Sequence, residues 1–303
     1  MATREPPLVP LAEMVRPPDG YKFRLLRDTP PAAKQAGMRR ALTMMARQGV
    51  AATIDFREEG VAGARLLRAA GRSLPVRMVV LGRPTRRPVS SVEIAELLKV
   101  ADGVGLSSIG EESARARELV ARACRSRGKR FALHASESVR EPVEEYLNPR
   151  PDLLVHLAKA TPDDLLRVVD AGVAVAVCPR SNALFGRRPD LARFERLGVK
   201  MLLGTDNAMF HSPSIWRELE FAYVTGRLVR RPIRPEFLFR SAFVHPYEWL
   251  GEPELARLVA DGPVRPLAFR LPPDDPAYQI VARATEHVMI RTEPSLPTDE
   301  EAE

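Results

Sequence analysis

The chain has 303 residues and a mass of 33.7 kDa, with 45% hydrophobic and 28% charged residues. That composition excludes a disordered or fibrous protein and allows one large domain with a small appendage. No apolar run approaches the roughly 18 residues of a membrane span, residues 1–10 lack a signal-peptide core, and Cys124 and Cys178 are too few for a disulfide framework.

The formal net charge is +7 and the isoelectric point about 9.8, yet the pattern of basic residues favours solvated helix faces over a nucleic-acid surface, which stays a third, weaker reading. Six of the 46 are Lys and the other 40 Arg. They are spread along the chain and alternate with acids on helical stretches, as on solvated helix faces. Aromatic residues are only 6% and none interleaves with the clusters Arg86-Arg87 and Arg230-Arg231. A cytoplasmic protein without nucleic-acid or membrane partners is expected, acting on a small molecule.

In chain order, residues 1–31 are rich in Pro and carry no strand pattern, and 32–48 read as a helix. Short apolar, β-branched runs then recur at 50–56, 76–81, 103–106, 130–134, 153–157, 173–177 and 199–203. Each is too short for a helix and too uniformly apolar for a sheet with one wet face, so buried parallel strands are predicted. Helical patterns fill the gaps at 62–71, 91–101, 111–128, 139–146, 161–170 and 191–197, with a further helix over 237–250. Thr161-Pro162-Asp163-Asp164 is the clearest start signal, with a Thr cap, Pro at the first helical position and acids in the first turn. Successive strands are about 20 to 27 residues apart, the length of a βα unit. The fold class predicted is α/β, a (β/α)8 TIM-type barrel over 32–261 in which strand one is missing. Residues 264–271 and 279–291 read as two strands of a partial β appendage (262–291), and 292–303 as a disordered acidic tail.

Chemistry in such a barrel sits at the C-terminal ends of the strands. His134 and His156 end two consecutive runs, and Asp206 follows Leu202-Leu203-Gly204-Thr205 at the end of the last. Two imidazoles and a carboxylate on strand ends can converge on a borderline metal such as zinc. Glu137, three residues beyond His134, is placed to act as general base and acid. Any one of these alone reads equally well as a hydrogen-bonded core or loop residue; the joint pattern carries the functional reading.

The string Phe131-Ala132-Leu133-His134-Ala135-Ser136-Glu137 resembles the fifth-strand His-x-x-Glu of the amidohydrolase superfamily, in its deaminase and chlorohydrolase branch. Leu154-Val155-His156-Leu157 is similar to the sixth-strand His. Cys178-Pro179-Arg180-Ser181-Asn182 resembles the segment after strand seven, and Gly204-Thr205-Asp206 the strand-eight Asp. The resemblance implies His134 and Asp206 as ligands of one divalent metal, zinc before iron, with Asp206 also orienting a metal-bound hydroxide. Glu137 would shuttle the proton to a departing amine, and His156 would bond the developing tetrahedral oxygen. Arg180, Asn182 and Ser107 are assigned to substrate.

The implied reaction is hydrolysis of a C–N bond other than a peptide bond, typically deamination of a heterocyclic base or nucleoside-like substrate. The sequence departs from the pattern in one respect above others: no His precedes His134, so the first-strand His-x-His is absent. A truncated N-terminus is the expectation, with the degenerate, non-catalytic binding or scaffold barrel as the alternative. An unpaired edge between the first and last strands is a predicted site of aggregation or of homo-oligomer formation.

Overall fold

The apolar runs become seven strands: β1 (Ala52–Arg57), β2 (Arg77–Gly82), β3 (Gly103–Leu106), β4 (Arg130–Ala135), β5 (Leu153–His156), β6 (Ala174–Val177) and β7 (Met201–Leu203). They form one parallel sheet in strict sequence order, each hydrogen-bonded to the next. The computed structural model describes residues 7, 9–252, 267–269, 274–283 and 289–291. Helices cover the outside: α1 (Leu11–Val15), α2 (Tyr21–Asp28), α3 (Pro31–Arg47), α4 (Gly60–Gly71), α5 (Ser91–Val100), α6 (Ala114–Arg125), α7 (Val143–Leu147), α8 (Pro162–Asp170), α9 (Pro179–Leu184), α10 (Leu191–Arg196), α11 (Ile215–Leu228), α12 (Pro235–Phe243) and α13 (His245–Leu250). Sequential parallel strands with helices outside make this a curled sheet of the TIM-barrel class, with seven of the eight barrel strands among the described residues. Among the described residues no strand joins β1 to β7, and β1 is half-buried at all six positions where β3 and β5 are buried throughout. No described helix is long and apolar enough to cross a membrane.

Strand side chains alternate with period two, and the packing divides accordingly. Val79, Leu81, Ala132, Leu153, Ala174 and Leu202 fill the inside of the curl with Trp249. Val80, Phe131, Leu133, Leu154, Val175 and Met201 pack outward beneath the helices. Gly105 leaves room inside for Phe56, whose ring a Cβ at that position would meet at 2.3 Å.

The structure alters several expected boundaries. Residues 139–146 are helical only from Val143, because Ser136 and Glu141 exchange two backbone–side-chain hydrogen bonds and Pro142 follows. The helix expected from 111 starts at Ala114, capped by the Ser113 hydroxyl, after a 3-10 turn at Ile109–Glu111. The helix over 237–250 is two, broken at Val244 before His245-Pro246. The Pro-rich N-terminal segment contains α1 and α2. The run 279–291 is not a single strand. Residues through Arg283 belong to the helix Pro276–Arg283, which starts on Pro276 with the Asp275 carboxylate accepting from the Tyr278 amide. The strand pairing there is Leu267–Phe269 antiparallel to Met289–Arg291. His287 and the acidic tail lie outside the described residues.

Candidate active site at the C-terminal ends of the strands

Because all seven strands run parallel, their C-terminal ends share one rim, carrying Glu58, Arg83, Ser107, His134, His156, Arg180 and Asp206. Inward-facing Ala132 on β4 places His134 on the same side by parity. The His134 ring packs edge-on against Phe56, with centroids 4.7 Å apart. Its Nδ1 donates to the carbonyl of Leu106 at 2.9 Å, which leaves a lone pair on Nε2. Burial pushes the imidazole well below its ordinary pKa, and the neighbouring charge of Arg83 pushes it further, so His134 is neutral at pH 7.

His156 reaches the site by another route. Leu153 of β5 faces inward and Leu154 outward, so parity alone would turn His156 towards the helices. A φ of 75° at His156, in the left-handed region, breaks the alternation. The ring then stands 5.4 Å from that of His134, with Nε2 3.7 Å from Glu137 Oε2. Behind it, the fully buried Asn182 donates from Nδ2 to His156 Nδ1 at 3.2 Å, which fixes the ring proton on Nε2, facing Glu137. Asp206 (φ 55°) and Ser136 (φ 46°) also occupy the left-handed region, a concentration of backbone strain typical of functional rims. The Asp206 carboxylate accepts a hydrogen bond from the Ser181 hydroxyl.

The structure thus brings together His134, Glu137, His156 and, behind them, Asn182. Asn182, expected at the substrate, is fully buried, with its side-chain amide on His156. Ser107 follows β3 on the same rim, half-buried. Arg180, expected at the substrate, is engaged with a buried acid. Its Nε donates to Glu218 Oε1 at 2.6 Å and a terminal nitrogen donates to the Ser212 carbonyl at 2.9 Å, while its backbone N–H meets Glu218 Oε2 at 3.0 Å. Glu218, on α11, is fully buried, and burial raises its pKa against the opposing pull of Arg180. The guanidinium is held by the carboxylate that needs it.

Sequence reasoning passed over Lys22 and Arg83. Lys22 Nζ and an Arg83 terminal nitrogen both donate to Glu58 Oε1, at 2.6 and 2.5 Å. The other Arg83 terminal nitrogen lies 3.5 Å from His134 Nε2. Burial would raise the Glu58 carboxyl, but Arg83 and Lys22 outweigh it and hold its pKa down to about 2. Burial lowers Lys22, and repulsion from Arg83 lowers it further against the attraction of Glu58. The two shifts pull in opposite senses because one carboxylate serves two cations. A readable signal existed: Lys22 is one of only six lysines in an arginine-rich chain, and Glu58 and Arg83 each stand just past a strand.

A catalytic zinc takes three protein ligands, and iron needs no fewer. His134 and Asp206 offer two donors, and among the described residues no group of three or more His, Cys, Asp or Glu side chains is placed to hold a metal. The nearest charge to the free Nε2 of His134 is a guanidinium. The described residues therefore do not by themselves fit the expected metal. His211, five residues past Asp206, has both ring nitrogens buried without a hydrogen-bond partner among the described residues, and burial followed by the charge of Arg180 lowers its pKa.

Comparison with known proteins places this rim in context. The model of the amidohydrolase family matches residues 4–251. A protein named as a putative aminohydrolase from Methanothermobacter thermautotrophicus is 36% identical over 253 residues, covering 77% of this chain and 66% of the relative. An adenine deaminase from Rhizobium meliloti is 29% identical over 183 residues, covering 54% and 56%. Among solved structures, an adenosine deaminase from Xanthomonas campestris with bound zinc superposes with a TM-score of 0.70 at 16% identity, over 84% of this chain and 67% of that one. The chain spans 66% of the length of the Methanothermobacter relative and 65% of each of two further ones. With the parallel curled sheet and its histidine-bearing rim, the match over nearly all of the described barrel shows that this chain belongs to the amidohydrolase family.

Proposed function

We propose that this chain carries the proton-transfer part of a hydrolytic deaminase site, acting on the C–N bond of an amino-substituted heterocycle. The observation that carries the reading is the arrangement of Glu137, His156 and Asn182: a carboxylate 3.7 Å from an imidazole whose other nitrogen accepts from a buried amide. Glu137 takes a proton from the attacking water and returns it to the departing amine. His156, with its proton on Nε2, donates to the oxygen that develops charge in the tetrahedral intermediate. The family match and the relative named as an adenine deaminase support the reaction class. The sequence expectation of a hydroxide held on a divalent metal meets only two donors here, so activation of the water is assigned to Glu137.

Ammonia release from a panel of aminated purines and pyrimidines tests the proposal, run on the purified chain with and without added zinc. E137Q is expected to lose about 100-fold or more in kcat. N182A, which frees the His156 ring, is expected to lose about tenfold in kcat with KM nearly unchanged. A folded chain that releases no ammonia under either condition refutes the reading. One observation favours a second reading, a non-catalytic binding barrel: a fixed guanidinium faces the free nitrogen of His134. Binding of heterocycles without turnover would favour it.

A further inference from the structure

Two cations stand on the rim with one carboxylate between them. Lys22, on the first turn of α2, and Arg83, just past β2, share a single oxygen of Glu58. Their side chains are only 13% and 12% exposed. The donor count does not close. An ammonium has three N–H groups and a guanidinium five, and Lys22 uses one of its three on Glu58. Arg83 Nε is buried with no partner among the described residues, and the terminal nitrogen turned to His134 is at the outer limit of a hydrogen bond. Buried donors left unmet cost about 1–3 kcal/mol each, so a purely structural ion triad would be expected to satisfy them.

The acids nearby do not close the count. Asp55 is chelated by Arg57 through two hydrogen bonds, and Glu59 pairs with Lys34. Asp206 acts on Lys22 through space but accepts its hydrogen bond from Ser181. The Lys22–Arg83–Glu58 triad itself carries one positive charge in excess and has spare donors, on the side of the rim where His134 presents a lone pair.

We propose that Lys22 and Arg83, held apart by Glu58, form an oxyanion-binding subsite beside His134, taking the carboxylate or phosphate group of a small ligand. The Arg83 terminal nitrogen turned towards His134 and the Lys22 ammonium are the donors the subsite presents, with Arg83 Nε enclosed behind them. Glu58 keeps the cations in place when the subsite is empty and competes with the ligand when it is filled. The same charge disfavours a divalent cation there, in keeping with the donor set. The subsite does not depend on turnover, since binding alone reports it.

The test is a calorimetric and thermal-shift titration of the whole chain with inorganic phosphate and with acetate, against chloride at matched ionic strength. Saturable binding of at least one oxyanion, absent with chloride, is expected. The tighter of the two identifies a phosphoryl or a carboxylate ligand. K22M and R83M are each expected to weaken binding tenfold or more, and E58Q, which removes the competitor, to tighten it several-fold. Oxyanions that act no more strongly than chloride overturn the proposal, as does binding that K22M and R83M leave unchanged. Should those two variants fail to fold, E58Q decides: unaltered or weaker affinity overturns the subsite. A chain that binds phosphate but releases no ammonia refutes the deaminase reading alone.

Discussion

Replacing Arg180 by Met separates a structural role from a substrate contact. Glu218 is fully buried, and its Oε1 accepts from Arg180 Nε at 2.6 Å, so R180M leaves the carboxylate with only the backbone N–H at 3.0 Å. Removing one partner of a buried pair costs about 3–5 kcal/mol, a large part of the roughly 5–15 kcal/mol that holds a domain folded. Urea denaturation followed by circular dichroism reads the loss as a lower midpoint at nearly constant slope. The sign with pH is also fixed. Burial already raises the Glu218 pKa, and without Arg180 it rises further. In R180M, stability is therefore retained below the unfolded carboxyl pKa of about 4.3 and falls as pH rises through the folded value. The double variant R180M/E218Q keeps an acceptor for the backbone N–H without the buried charge and should recover at least half of the loss. A loss under about 1 kcal/mol, or one identical in the single and double variants, would refute the buried-pair account. A raised KM with unchanged stability would return Arg180 to the substrate.

Acid titration should expose the rim carboxylate. Glu58 is held down to a pKa of about 2 from 4.5, so its contribution of about 3 kcal/mol or less is present above pH 4.5 and fades as pH falls towards 2. E58Q should flatten the fall in unfolding free energy across that window, and an acid limb equally steep in both proteins would count against the pairing. At α8, the Thr161 hydroxyl accepts from the Asp164 amide while the Asp164 carboxylate accepts from the Thr161 amide. T161A is expected to lose about 1 kcal/mol in urea denaturation; an unchanged midpoint would show that Asp164 and Arg140 hold this helix start without the hydroxyl.

The fold was largely legible because burial on both faces makes parallel strands uniformly apolar, and the seven runs from 50–56 to 199–203 match β1–β7 within a residue or two. Capping chemistry was legible where it is local, as at Thr161. It failed where a loop folded on itself, as in the Ser136–Glu141 exchange, and where the apolar pattern of 279–291 hid the Asp275-Pro276 helix start. In the candidate site, strand-end position picked out His134, His156 and Asp206, since the parallel barrel puts every such end on one rim.

The order of strands, the rim and its histidines follow from spacing and residue type, because repeat length and period-two alternation are properties of the chain alone. Which charges meet on that rim does not. Lys22 lies 36 residues from Glu58, Arg83 25 residues from it, and Arg180 38 from Glu218. Only the curl of the sheet and the packing of its helices bring such groups within 3 Å of each other. Even the aim of His156 depends on a backbone turn that strand parity would have forbidden. Electrostatic pairing acts through space and burial, so only the tertiary structure pairs Arg180 with the buried Glu218 and gathers Lys22 and Arg83 on one oxygen of Glu58.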